Sequence, residues 1–480
     1  MEKNTNNSTI ANFIWRFTER TAAQLVTFVV SIILARILAP EYYGTIALVT
    51  VFTTILQVFV DSGLGTALIQ KKDADDLDFS SVFFFNMFMC IVLYIGMYIV
   101  SPYIAAFYND EGLTPIIRFI SLTIIISGVK GIQQAYVSRN MLFKRFFFST
   151  IGGTIVSAII GISLTYRGYG VWALAIQQVT NTAIDTLILW MTVSWKPKFM
   201  FSWQRLKSLL RFGWKLLVSS ILDTVYNNMR NLIIGKWFSA EDLAYYTQGD
   251  KFPNVIINNI STSIDSVLLP TMSKLQDEAD QVKELTRKSI KISIYIMAPL
   301  MVGLASCADT VVSLVLTDKW MPCVFFLRIF CISYLFWPIH TVNLNAIKAM
   351  GKSDIFLKLE ILKKIFEIFI LMTTMWLGVK VMACGVLVCN VMGQIINSWP
   401  NRKLLNYKYS AQIKDVSISI ILAFVMGVFV YFLGYIHLHV ALKILVQLSV
   451  GVLIYVGGSA LLKLEEFEYI VSILKKIIKV

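Results

Sequence analysis

The chain is poor in charge. Only 15% of its 480 residues are Asp, Glu, Lys or Arg, whereas 57% are hydrophobic and the mean hydropathy is +0.69. A soluble domain carries roughly a quarter charged residues, so a water-dispersed globule is excluded. Histidine is scarce, and His340, His437 and His439 do not cluster with carboxylates as metal ligands would. The six cysteines lie in or beside apolar runs with no CxxC spacing. They are expected to be small core residues rather than a disulfide frame or a zinc site. The opening MEKNTNNSTIAN lacks the basic region and apolar core of a cleaved signal peptide, so the first hydrophobic segment is expected to be retained. Long outer loops are missing too: APEYYG, YNDEG and YRGYG leave no room for an outer domain.

What is present is a succession of apolar runs. About 20 such residues cross roughly 30 Å of hydrocarbon as a helix. Runs of that kind fall near 13–38, 43–61, 80–107, 113–137, 147–166, 169–194 and 212–238. They continue near 245–270, 290–316, 323–347, 355–378, 380–399, 415–436 and 440–462. The expectation is an all-α polytopic membrane protein of about 14 transmembrane helices. Lys and Arg are concentrated in the loops after even-numbered spans and are few after odd-numbered spans. By the positive-inside rule, both termini and the even loops are expected in the cytoplasm. The net charge of +14 is then a topology signal, and nucleic acid is not an expected partner.

RILAPEYYGTI from Arg36 and KWFSAEDLAYY from Lys236 share a cation, a small residue, a Glu and paired aromatics at an offset of 200 residues. Parallel repeats of this kind are a transporter plan with the substrate site between the halves. The repeat predicts an N-lobe over 1–200 (spans one to six), a C-lobe over 201–400 (seven to twelve) and a last pair over 401–462. The remainder, 463–480 (KLEEFEYIVSILKKIIKV), is expected to be a cytoplasmic amphipathic tail suited to an anionic leaflet.

Three spans carry polar stripes at helical spacing. The first has Arg16, Arg20, Gln24, Thr27 and Ser31, with Glu19 beside the cations. The seventh has Lys215, Ser219, Asp223, Asn227 and Arg230, and the eighth has Lys251, Asn254, Asn258, Ser261 and Asp265. Charge at membrane depth normally faces a cavity or a partner. These stripes are therefore expected to line a wet central cavity with a cationic bias. The substrate-facing set is Arg16, Arg20, Arg230, Lys251, Lys130, Gln24 and Asn227; Glu19, Asp223 and Asp265 are the candidate ion-coupling carboxylates.

Simpler roles stay open. Arg16 and Arg20 could snorkel to lipid phosphate, Glu19 could neutralise either of them, and Asp223 could pair with Arg230. Lys130 has no evident partner in the sequence. Arg118 and Arg328 read as anchors near the outer ends. DADDLD (Asp73 to Asp78) holds two DxD spacings, but in a short loop between spans it reads as a solvated acidic turn rather than a metal site.

The stretches LARILAPEYYG, DSGLGTALIQKKD, SRNMLFKRFF, GYGVWALAIQQ, LPTMSKLQDE and KAMGKSDIFLKLEILKK resemble the polysaccharide-exporter family. These are the Wzx/WzxC-like oligosaccharide flippases of the multidrug/oligosaccharidyl-lipid/polysaccharide (MOP) exporter superfamily. The resemblance implies a MATE/MOP-like fold of two six-helix lobes plus a terminal helix pair. It implies translocation of an undecaprenyl-diphosphate-linked glycan across a bacterial inner membrane for surface polysaccharide synthesis. It further implies a membrane-lipid environment, a polysaccharide polymerase and a chain-length regulator as partners, and no cofactor, with proton or sodium coupling open. Cavity arginines would engage the diphosphate, and Arg16, Arg20 and Arg230 match that position. Two alternatives differ in kind. A drug/cation antiporter of the same superfamily would want an acidic cavity. A membrane polymerase or ligase would need a large catalytic loop.

Overall fold

The computed structural model describes residues 24–61 and 64–478, and every regular element among them is helical. The chain divides into two compact units, Met1–Ala244 and Tyr245–Val480. The first holds α1 (Gln24–Ile37), α2 (Pro40–Asp61), α3 (Leu64–Gln70), α4 (Asp76–Tyr108), α5 (Leu113–Ile120), α6 (Leu122–Arg139), α7 (Phe143–Tyr166), α8 (Val171–Thr192) and α9 (Trp203–Trp237). Helix α10 (Ala240–Lys274) begins in it and continues into the second unit. There follow α11 (Ala279–Ser306), α12 (Ala308–Val315), α13 (Cys323–Leu335), α14 (Trp337–Ala349), α15 (Ser353–Thr374) and α16 (Val379–Ser398). The last are α17 (Asn401–Leu404), α18 (Tyr409–Leu433), α19 (Val440–Leu461) and α20 (Glu465–Ile478).

Each described part of the fourteen expected spans falls on a helix. Nine helices or helix runs among the described residues are long and apolar enough to cross a membrane. The rest are α1, whose described part is shorter, and α8, α9, α10 and α15, whose apolar sequence is broken by polar and charged residues. Large apolar side chains stand open on α18 and α19, with Phe432 and Leu453 about two-thirds exposed or more (65% and 71%). Surface of that kind is stable against acyl chains and not against water. This is a multi-pass membrane protein. The 200-residue offset recurs in its helix boundaries: α1 closes at Ile37 and α9 at Trp237, while α2 opens at Pro40 and α10 at Ala240.

In the first unit, α7 and α8 form the tightest hairpin. Small residues on α7 let the backbones approach, as membrane helices require where no hydrophobic force drives association. A Cβ on Gly153 would sit 2.9 Å from the Asn181 carbonyl oxygen and 3.0 Å from Asp185 Cβ. At one end of the unit, Trp195 lies between Phe79 and Tyr136 (ring centroids 5.6 and 6.0 Å), in a buried cluster that includes Leu206 and Leu209 of α9.

The DADDLD segment differs from the solvated acidic turn expected. Asp75 caps α4, its side chain accepting from the Asp78 N–H while Asp78 accepts from the Asp75 N–H. Asp78 is fully buried and pairs with Lys71 at 2.6 Å and Arg205 at 3.3 Å; Asp76 pairs with Lys198 at 2.5 Å. The reason is tertiary: the segment leading into α9 folds back over the start of α4, so its cations reach the carboxylates.

In the second unit, α11 packs against α13 and α18, and α18 against α19. A buried knot of amides joins three stretches of chain. Asn343 donates to Gln412 Oε1 at 2.8 Å, and Asn401 donates to Asn343 Oδ1 at 2.6 Å. Buried amide networks of this kind favour one arrangement of helices over others. The tail helix α20 is pinned by Lys291, which reaches Glu465 at 2.6 Å and Glu466 at 3.1 Å.

Candidate functional site

The polar stripes are carried by α1, α9 and α10, and their exposure decides their meaning. On α9, Ser219, Asp223 and Asn227 are exposed at steps of four, and Arg230 is half-buried. On α1, Gln24 and Thr27 are exposed, while Ser31 is half-buried and donates to the Phe28 carbonyl at 2.7 Å. On α10, Asn258, Thr262 and Asp265 are exposed. Polar groups turned toward hydrocarbon cost several kcal/mol each, so exposed polar faces of this kind suit contact with water. Arg16, Glu19 and Arg20 lie outside the described residues, as does the side chain of Lys215.

The second unit adds groups that sequence reading passed over. Asp250, one turn before Asn254, accepts from Tyr334 Oη at 2.7 Å and from Asn254 Nδ2 at 3.2 Å. Asn258 donates in turn to Asn254. The half-buried Lys251 lies next to this ladder in sequence. Asp265 accepts from Asn345 Nδ2 at 2.7 Å. The α10 stripe is thus a hydrogen-bonded column that begins one residue earlier than its sequence suggested.

Lys130, for which the sequence offers no evident partner, is half-buried. It has a partner, Asp185 of α8, at 2.8 Å, and the side chains keep 16% and 15% of their exposure. The sequence signal was available: Gln178, Thr182 and Asp185 recur at steps of four and three within an expected span. Lys130 lines a cavity of about 320 Å³ inside the first unit, with walls from α2, α6 and α8. Its other lining residues are Thr, Ser and Gln, all polar, and it has no aromatic wall.

Arg118 and Arg328, expected as anchors near the outer ends, are both held by protein contacts. Arg118 donates to Ser101 Oγ at 3.0 Å and lies 3.9 Å from the Tyr98 ring centre. Arg328 pairs with Asp309 and lies over Tyr431. Among the described residues, no group of three or more His, Cys, Asp or Glu is arranged to hold a metal ion.

These features define a polytopic helical membrane protein with exposed polar faces on α1, α9 and α10. Residues 33–325 match the polysaccharide biosynthesis protein family, and the chain belongs to it. It is similar to the teichuronic acid biosynthesis protein TuaB of Bacillus subtilis (strain 168), 26% identical over 311 residues, 63% of each chain. The chain therefore matches less than two thirds of that relative's length. It is also similar to the lipopolysaccharide biosynthesis protein WzxC of Escherichia coli (strain K12), 24% identical over 76% of this chain and 74% of that one. In fold it is similar to the lipid II flippase MurJ in an inward closed conformation. That likeness has a TM-score of 0.76 at 14% identity, covering 94% of this chain and 98% of MurJ. The resemblance to Wzx/WzxC-like proteins holds.

Proposed function

We propose that this chain is a flippase that moves an undecaprenyl-diphosphate-linked oligosaccharide across a bacterial inner membrane for surface polysaccharide synthesis. It is a transporter rather than an enzyme. The observation that carries this reading is the exposure of Ser219, Asp223 and Asn227 on α9 and of Asn258, Thr262 and Asp265 on α10. Polar faces of this kind suit a hydrated head group that must shed water to cross. Family membership, the names of the relatives and the MurJ-like fold support it.

In this mechanism residues 1–200 rock against 201–400, and the polyprenyl tail stays in lipid. Arg16, Arg20, Arg230 and Lys251 engage the diphosphate, while Gln24 and Asn227 meet the glycan. With the cytoplasm negative, outward movement of a dianion gains about 2.3 kcal/mol per charge per 100 mV, less whatever cavity cations move with it. Glu19, Asp223 and Asp265 are the carboxylates available to a counter-moving proton or sodium ion. Both termini lie in the cytoplasm, and a polymerase and chain-length regulator receive the product.

The experiment is deletion and complementation in the native cell. Loss of surface polymer with build-up of the lipid-linked repeat unit is expected, and Arg16→Ala with Arg230→Ala should fail to restore export at normal protein level. Unchanged polymer in the deletion strain would overturn the reading.

A further inference from the structure

We infer that the polar cavity of the first unit is a neutral-sugar site, which seats one pyranose ring of the glycan apart from the cationic groups that hold its diphosphate. The inference rests on the flippase reading and adds to it a recognition site with its own ligand chemistry.

The cavity's size sets the scale. About 320 Å³ is the room of roughly ten waters at ~30 Å³ each, at the lower end of small-ligand pockets. That suits one hexose ring and is too small for a whole repeat unit. Its chemistry is donor and acceptor without net charge. Thr53, Thr123 and Thr182 donate to the carbonyls of Thr50, Ile120 and Gln178 at 3.1, 2.7 and 3.2 Å, which leaves their oxygens as acceptors. Gln134 and Gln178 each bring an amide that can both give and take. Sugar hydroxyls, each one donor and two acceptors, complement such a wall.

The ion pair argues against charged occupants. Lys130 Nζ already lies 2.8 Å from Asp185, so an anion would meet a carboxylate beside the ammonium that neutralises it. A metal cation would meet an ammonium beside the carboxylate it needs. Lys130 has further N–H donors to offer a ring hydroxyl while it stays bound to Asp185. The pair therefore holds a donor in place at no cost in net charge.

The test uses the purified full-length protein in lipid nanodiscs, with methyl glycosides of glucose, galactose, mannose and N-acetylglucosamine as probes at millimolar concentration. Saturation-transfer NMR should show contact to the pyranose protons of at least one glycoside. Gln178→Leu and Thr182→Val should each weaken that signal about five-fold, the loss of one hydrogen bond. Thr123→Val serves as a third variant should either fail to melt as the parent does. The inference is overturned if no glycoside gives a signal, or if the signal persists in all properly folded variants. It is equally overturned if sodium-23 line broadening, rather than sugar contact, is what these variants abolish. No lipid carrier is used, so the outcome is independent of transport. Continued export by deletion cells would sink the flippase reading while leaving a measured sugar site standing.

Discussion

Gly44 on α2 and Ala240 at the start of α10 meet backbone to backbone: a Cβ on Gly44 would overlap the Ala240 carbonyl oxygen. The same seam continues where Gly235 of α9 leaves room for Leu48, and where Tyr108 Oη donates to the Leu232 carbonyl at 3.3 Å. Gly44 is thus a residue whose missing side chain closes one end of the first unit.

Gly44→Val should push this seam open. Overpacking costs about 1–3 kcal/mol, enough to move a closed–open balance about 5- to 150-fold. Leu48 is 6% exposed, so a cysteine placed there should react slowly with a membrane-impermeant maleimide in the parent and quickly in the Gly44→Val background. Equal labelling rates would show that the seam does not depend on this contact.

Removing one partner of the Lys130–Asp185 pair should cost more than removing both. A fully buried pair loses about 3–5 kcal/mol when broken; with some 15% exposure remaining on each side chain, about 2–3 kcal/mol is expected. Thermal unfolding of Lys130→Met, Asp185→Leu and the double variant gives the coupling directly. Additive losses would mean that the two charges do not support each other.

Asp75 should contribute stability that is lost in acid. The Asp78 N–H, and then Arg205, hold its carboxyl below the ordinary range. A depressed carboxylate stabilises fully above its unfolded value of about 3.9 and loses that contribution as pH falls through its lower folded value. Asp75→Ala should cost about 1 kcal/mol near neutrality, as for other helix caps. Its difference from the parent should shrink as pH falls through that lower folded value. A gap that persists undiminished in acid would assign the effect to something other than the carboxylate.

Lys291→Met should loosen α20. Glu466 is 6% exposed and would lose its cation, and the Glu465 carboxyl, held low chiefly by the Lys291 hydrogen bond, would return toward its ordinary range. A contact worth about 1 kcal/mol changes the open population about five-fold. Cleavage by a glutamate-specific protease at the start of α20 should quicken by that factor, and Lys291→Arg should restore resistance. Unaltered digestion would argue that apolar packing alone holds the tail.

Residue order alone established a membrane protein of many helices and the polar stripes on α1, α9 and α10. Those properties are one-dimensional: twenty apolar residues span the hydrocarbon whatever surrounds them, and a helix of known period puts Asp223 and Asn227 on one face by arithmetic. What faces that stripe is another matter. Lys130 and Asp185 are 55 residues apart and meet because α6 and α8 pack at one particular register, which the close approach at Gly153 helps to set. Asp78 is buried because Arg205 returns over it from 127 residues away. Asp250 is half-buried against Tyr334, 84 residues on. Which polar group meets water and which meets a partner depends on distances between helices, and those exist only once the chain has packed.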